Sequence, residues 1–423
     1  MKINMDVDVH HLTRVEGHGN IHVRVRDGKL LEARWDVVET PRYFEVMLKG
    51  KHYSSAAPLT ARICGICSFG HTLASLRATE AAFGIEIPEA ARHLRMLAKH
   101  GETLQSHVLH LFFLAAPDFL NVPSAIPLME SHPEVVAIAL RLKGLGNKIC
   151  DLVGGRPTHP VALQVGGVVA IPPGLSNIKP ELETALVDLE TTVELFKTFE
   201  IPDFARETEF VSLKGNGSYP FIGGDLISTD GVVKAESDYL AMTNEYTDSR
   251  NTSKLCRLSR DSFAVGALAR MNNNFAALRP EARAIAEAIG LTPVNHNPFM
   301  NNVAQLIECV HIVYESMELI DSLAELNGAP TMAQVEPVAG EGVGAVEVPR
   351  GILYHHYKYN KDGQITKANC IIPTTQNNAN IHQDMGPLVE QFAKVEGMGN
   401  EQLELLCSML VRAYDPCISC SVH

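Results

Sequence analysis

Two Cys-x-x-Cys pairs stand at opposite ends of this 423-residue chain. The first is Cys64 and Cys67 in Arg62-Ile63-Cys64-Gly65-Ile66-Cys67-Ser68-Phe69-Gly70-His71, and the second is Cys417 and Cys420 in the terminal Asp415-Pro416-Cys417-Ile418-Ser419-Cys420-Ser421-Val422-His423. If the fold brings these ends together, four thiolates meet at one point. Such a donor set holds a soft metal: zinc, iron–sulfur, or nickel with iron. A structural zinc knuckle keeps its pairs much closer in sequence. The flanking Arg62 and His71 also differ from a knuckle. On spacing alone, three readings stay open: a redox or catalytic metal, a structural zinc, and unrelated cysteines.

The other five cysteines, Cys150, Cys256, Cys309, Cys370 and Cys407, are scattered singly and read as small buried hydrophobes. They form no further cluster-binding pattern, so no iron–sulfur cluster is expected on this chain. The net charge of −13, from 36 basic and 49 acidic residues, argues against nucleic acid as a partner, because a phosphate backbone calls for a basic face. A hydrophobic content of 46% with 20% charged residues points to a folded chain rather than disorder. The longest apolar run, Thr158 to Leu175, is broken by Pro160, Pro172 and Pro173, so no membrane span is expected. Met1-Lys2-Ile3-Asn4-Met5-Asp6 has no apolar core of a secretion signal, which favours the cytoplasm.

Periodicity predicts a mainly α chain with an α+β periphery, built on a bundle of long helices. Leu94, Leu97, Gly101, Leu104, Val108 and Leu111 fall three and four apart within Pro88–Phe119, with His107 and His110 at the edge of the stripe. Further helices are expected at Pro133–Val153, Lys179–Phe199, Arg279–Ile289, about Asn301–Leu326 and about Glu401–Tyr414, where Asp415 and Pro416 end the last one. Small β regions are expected in 1–60, where Ile21, Val23 and Val25 alternate before the Asp27-Gly28 turn, in 205–240 and in 345–378. The whole of 1–423 reads as one large domain.

The motif Arg-Ile-Cys-Gly-Ile-Cys-x-x-x-His at the front, with Asp-Pro-Cys-x-x-Cys-x-x-His at the back, closely resembles the large subunit of nickel–iron hydrogenases. Thr13-Arg14-Val15-Glu16-Gly17-His18, Gly154-Gly155-Arg156-Pro157-Thr158-His159-Pro160 and Val348-Pro349-Arg350-Gly351 extend the resemblance along the chain. Val348 departs from the family's commoner Ala. The resemblance implies a nickel–iron centre. Cys64 and Cys417 are terminal on nickel, Cys67 and Cys420 bridge nickel to iron, and the iron carries carbon monoxide and two cyanide ligands. A magnesium ion would be held by Glu45, the Cys370 carbonyl and His423. The family precursor is cut after that His, so the chain looks like the mature form.

By the same resemblance Cys417 is the first base and Glu16 the next proton acceptor. Read by spacing alone, Glu16 is a surface carboxylate at a strand entry. Arg350 and Pro349 lie over the open side of the metals, Asp118 and Asp415 orient Arg350, and Thr374 hydrogen-bonds a cyanide. His71 is placed to hydrogen-bond a bridging sulfur, and Ile66 faces the gas channel. His159 is read as structural.

The function implied is reversible heterolysis of dihydrogen to protons and electrons. Dihydrogen is a very weak acid without a polar handle, so a soft metal and a nearby base are both required. Electrons would leave through an iron–sulfur small subunit and on, through further flavin or iron–sulfur subunits, to NAD(P), a deazaflavin or ferredoxin. No flavin is expected on this chain. The length is closer to the cytoplasmic multisubunit group than to the periplasmic uptake enzymes. Two other readings compete. One is a metal-free scaffold subunit like the respiratory complex I relative, which the four cysteines oppose. The other is a plain zinc-stabilised protein, which would make Arg350, Glu16, Glu45 and His423 coincidences.

Overall fold

The computed structural model describes residues 4–215 and 217–423. The first three residues of the stretch read for a secretion signal, and residue 216 of the expected 205–240 excursion, lie outside the described residues. The core is a set of long helices. Glu89–Val108 runs on through a π-helical segment, Leu109–Ala115, into Ala116–Phe119. It packs against Pro133–Gly154 and Met300–Glu325, and Met300–Glu325 packs in turn on Lys179–Phe196 and Pro280–Ala288. These helices fall within a few residues of the sequence expectation because each carries one apolar stripe that must be buried. Among the described residues, no helix is long and apolar enough to cross a membrane.

Small sheets surround the bundle. Met5–Val9, Gly19–Arg26 and Lys29–Val37 form an antiparallel meander. Gly340–Val348, Gly351–Tyr359 and Ile365–Ile371 form a second. The expected excursion is a small four-stranded sheet, Val233–Lys234, Leu226–Ser228, Glu209–Leu213 and Phe263–Ala264, with the last pair parallel.

Several helices depart from the sequence reading. The expected 345–378 β region stops at Ile371, because Pro373 opens a helix, Pro373–Phe392, at a position where its missing N–H costs nothing. The expected 1–60 β region likewise gives way to short helices from Phe44 onward. Ser68–Phe83, directly after the first cysteine pair, is also a helix. It is buried nearly all round, so it has no polar face to mark its period.

That buried helix lies against the strand Gly340–Val348 along three alternate glycines. A Cβ on Gly340, Gly342 or Gly344 would come within 2.1–2.4 Å of backbone atoms of Ala82, Ala78 and Ala74. The two backbones therefore approach as closely as hydrogen side chains allow. Gly342→Ala should lower stability by about 1–3 kcal/mol, the usual cost of overpacking a filled interior. Gly386→Ala, whose Cβ meets only Leu30 at 3.6 Å, is the control. Denaturant midpoints of the two variants decide it, and equal midpoints would sink the close-approach account.

Candidate metal centre

The two ends of the chain meet. The backbone of Glu16 pairs with the segment at Cys417, and the Ile418 amide donates to the Glu16 carbonyl at 2.9 Å. Gly17, at φ +84°, sits so close that a Cβ there would lie 2.8 Å from Ile418 Cβ and from Ser419 N. Arg42 closes the other side, its guanidinium donating to the carbonyls of Ile63 at 2.7 Å and Ser419 at 2.6 Å, one beside each cysteine pair. These contacts bring the four thiols together. Cys64 Sγ is 3.6 Å from Cys417 Sγ, and Cys417 Sγ is 2.7 Å from Cys420 Sγ. Ligand atoms of Cys64, Cys417 and Cys420, and of Cys67, His71 and Cys420, each lie within 4.8 Å of one another.

All four cysteines are buried and none is in a disulfide. The Ile66 and Cys67 amides point at Cys64 Sγ from 3.3 and 3.2 Å. Hydrogen bonds from the Cys417, Cys420 and Cys67 thiols hold the Cys64 thiol well below its ordinary range, while burial pushes Cys420 well above its own. A buried quartet cannot ionise fully on its own, since each new thiolate opposes the next. A soft cation removes that conflict, so the donor set fits a thiolate-bound metal.

Arg350 is buried beside the quartet. Its Nε and Nη2 donate to the Asp415 carbonyl at 2.6 Å and to Asp415 Oδ1 at 2.8 Å, and its Nη1 lies 3.4 Å from Ser106 Oγ. Burial works against its charge, and Asp415 together with the Cys417, Cys67 and Cys64 sulfurs more than offsets it. Asp415 itself sits at φ +49°, turning the chain out of the helix Asn400–Ala413. The left-handed region tolerates Asp better than most residues. Thr374 Oγ1 accepts the Cys417 amide at 3.0 Å, which leaves its own proton free to point elsewhere.

Glu16 touches the quartet directly. Cys417 Sγ lies 3.2 Å from Glu16 Oε2, which also accepts the Ser419 amide at 3.0 Å, and Ser419 Oγ bonds Oε1. Proton transfer asks for this kind of heavy-atom reach. A separate oxygen-rich cluster forms nearby. His423 Nε2 is 2.8 Å from the Cys370 carbonyl and 3.7 Å from Glu45 Oε1, and Glu45 accepts the Cys370 amide at 2.8 Å. The Glu45 carboxyl is held below its usual range, burial opposing the hydrogen bonds from His423 and the Cys370 amide. A carboxylate, a carbonyl and an imidazole suit a hard cation with some retained water.

The sequence expectation for Asp118 needs correction. Its carboxylate does not orient Arg350. It is taken by Arg412 Nη1, 2.9 Å from both oxygens, and by Arg14. Asp118 falls a full three turns beyond Ser106 on the same long helix, and Ser106 is the residue of that helix within reach of Arg350. Asp118 instead ties the Glu16 loop, through Arg14, to the helix that leads into Cys417, through Arg412. A ring nitrogen of His71 lies within 4.8 Å of the Cys67 and Cys420 sulfurs, and Ile66 packs partly buried against the core. The Ile66 carbonyl is held by Gln105 Nε2 at 3.1 Å.

Sequence reasoning missed several supporting residues. His110 looked like a core-edge histidine. Its ring bonds Gln305 Oε1 at 2.6 Å and the Arg412 carbonyl at 2.7 Å, and Gln305 in turn donates to Asp415 at 3.2 Å. The only trace in the sequence is a histidine and a glutamine placed on apolar helical stripes. Arg42 leaves no motif at all.

Comparison with known proteins follows this geometry. The model of a family described as nickel-dependent hydrogenase matches residues 42–137 and 229–423. The sulfhydrogenase 1 subunit alpha of Pyrococcus furiosus is 32% identical, over 99% of this chain and 98% of its own. The beta subunit of the NAD-reducing hydrogenase HoxS of Cupriavidus necator is 28% identical, over 97% and 93%. A solved NAD+-reducing [NiFe]-hydrogenase in the H2-reduced state superposes with a TM-score of 0.90 at 28% identity, covering 99% of each chain.

The Asp118 assignment is open to a direct stability test. The carboxylate is buried between Arg14 and Arg412, so Asp118→Asn leaves two arginines with no opposing charge. Removing one partner of a buried ion pair costs about 3–5 kcal/mol. Unfolding followed by denaturant should show a loss of that order. A loss below about 1 kcal/mol, the range of an exposed pair, would reject the bridging role.

Proposed function

The chain belongs to the nickel-dependent hydrogenase family, as a large subunit. From that premise we propose that Cys64, Cys67, Cys417 and Cys420 would hold nickel and iron, and that dihydrogen is split there heterolytically and reversibly. The observation that carries this reading is the contact between Cys417 Sγ and Glu16 Oε2 at 3.2 Å, which joins a buried thiol quartet to a carboxylate that can relay protons. When bound, the metals supply the soft centre that polarises the H–H bond, with carbon monoxide and cyanide on the iron.

The protein's own groups then divide the work. Cys417 is the thiol in contact with the Glu16 carboxylate, so its Sγ would take the proton first. Glu16 takes it next, already held in place by the Ser419 amide and hydroxyl. Arg350 and Pro349 cover the open side. The fixed cation of Arg350, oriented by Asp415, favours charge separation beneath it in a site closed to water. Thr374 has a hydroxyl proton to offer a cyanide, since its oxygen accepts the Cys417 amide. Glu45, the Cys370 carbonyl and His423 would hold magnesium and so pin the end of the chain. Ile66, between the ligands of the first pair, would narrow the path of gas to the metals.

Electrons leave through a partner. Relatives of this chain are alpha or beta subunits of larger hydrogenases. By analogy the partner is an iron–sulfur small subunit, followed by flavin or iron–sulfur subunits and a soluble acceptor such as NAD(P) or ferredoxin, in the cytoplasm.

Metal analysis with infrared spectroscopy tests the centre. Nickel and iron in equal amounts, with sharp carbon monoxide and cyanide stretching bands, are expected. Zinc in place of nickel with no such bands would overturn the reading. Within a metal-loaded enzyme, Glu16→Gln should cut proton-dependent H2/D2 exchange by about 10²–10⁴-fold, the usual contribution of a positioned acid–base group, while leaving the bands in place. Exchange at the parent rate would remove Glu16 from the proton path. Ile66→Ala should speed inhibition by carbon monoxide, and an unchanged inhibition rate would remove Ile66 from the gas path.

A further inference from the structure

Behind Cys67 and Cys420, His71, which the family resemblance sets against a sulfur, is the near end of a chain of buried polar groups whose other members the proposed chemistry does not use. His71 is wholly buried, and its Nδ1 is 3.1 Å from His355 Nε2. His355 Nδ1 is 2.6 Å from the Tyr357 hydroxyl, which lies 3.1 Å from Ser75 Oγ. A ring nitrogen of His71 falls within 4.8 Å of the Cys67 and Cys420 sulfurs. Nδ1 is engaged by His355, so the sulfur-facing nitrogen is Nε2, a buried atom with no hydrogen-bond partner of its own.

The fold builds this chain from two elements. His71 and Ser75 are four residues apart on the helix Ser68–Phe83 and so share one face. His355 and Tyr357 are two apart on the strand Gly351–Tyr359 and so share one side of the sheet. Opposite them in the neighbouring strand stand Gly344 and Gly342, two of the glycines that let the helix backbone come close. The glycine row therefore brings the four side chains within hydrogen-bonding distance.

Proton counting fixes what such a chain can do. A neutral imidazole has one donor and one acceptor, so each link sets the direction of the next. The Tyr357 hydroxyl has a single proton. That proton can go to Ser75 Oγ at 3.1 Å or to His355 Nδ1 at 2.6 Å, and the shorter contact makes the stronger bond. If Tyr357 donates to Nδ1, His355 carries its proton on Nε2 and donates to His71 Nδ1. His71 then carries its proton on Nε2, facing sulfur. A metal-bound thiolate accepts and cannot donate, so this direction satisfies every link from Tyr357 to the sulfurs.

We propose that His355 and Tyr357 are positioning residues that fix the tautomer of His71, so that its Nε2–H donates to the sulfurs of Cys67 and Cys420 and draws electron density from the metals they bridge. This inference rests on the metal centre proposed above. Histidines that face a metal site commonly have their second nitrogen fixed in this way. Here the fixing group is a second histidine and a tyrosine rather than a carboxylate.

Infrared spectra and midpoint potentials of the metal-loaded hydrogenase complex test it. Tyr357→Phe and His355→Leu each remove a donor, so His71 can turn its unprotonated nitrogen to the sulfurs. The thiolates then give more charge to iron, and the carbon monoxide and cyanide bands should move to lower wavenumber, with a more negative midpoint potential. His355→Gln restores an N–H toward His71 Nδ1 and should return both readouts toward the parent. Bands and potential that match the parent in both Tyr357→Phe and His355→Leu would overturn the proposal. So would a His355→Gln shift as large as that of His355→Leu, since packing alone would then be the cause. Absence of the bands from the parent complex would instead strike the metal centre itself.

Discussion

The site depends on one short stretch of main-chain pairing, Glu16 against Cys417 and Ile418. It joins a loop near the start of the chain to the last turn at its end. It sets the carboxylate of Glu16 against the sulfur of Cys417 because the two residues are paired through their backbones and not only through their side chains. Gly17 makes the pairing possible, since any larger residue would collide with Ile418. Arg42 repeats the device on the other side by capping the carbonyls of Ile63 and Ser419. Joining the two ends closes a loop that spans nearly the whole chain, which is entropically costly. The many contacts of the helical bundle between the ends bear that cost, and a bound metal would add to them.

The meeting of the two cysteine pairs was legible from their spacing and type, while Glu16, Glu45, the Cys370 carbonyl and His423 were picked out only by the family resemblance of the motifs around them. The long amphipathic helices were legible from their period. What the sequence hid was of two kinds. The helix Ser68–Phe83 is buried on all sides, so burial erased the pattern that reveals helices. The partners of charged groups were hidden because pairing is decided by packing and not by proximity in sequence. Asp118 illustrates this: its place near the metal pair suggested Arg350, yet the long helix turns it toward Arg14 and Arg412, and Ser106 faces Arg350 instead. His355 carried no signal beyond an alternating strand, although it touches His71 directly.

Arg350 is placed as much by what lies behind it as by Asp415. Arg270 is fully buried and clamps Glu308 through Nε and Nη2, each at 2.6 Å, while Nη1 reaches Glu347 at 2.9 Å. The same guanidinium donates to the carbonyls of Val348 at 3.0 Å and Pro349 at 3.3 Å. Glu308 also receives Tyr219 and pairs with His107, each at 2.7 Å, and Glu347 accepts the Leu213 amide at 2.8 Å. Two carboxylates and one guanidinium buried together leave one excess negative charge, which burial penalises. Burial accordingly pushes the Glu347 carboxyl above its usual range. A cluster of this kind adds little net stability over a well-packed apolar core. Its consequence is geometric. The Arg270 guanidinium and the Glu308 and Glu347 carboxylates are all committed, so the carbonyls just before Arg350 are fixed and its guanidinium is held beside the thiols. A looser apolar packing at Arg270 would release those carbonyls and leave Arg350 free to swing away from the buried thiols.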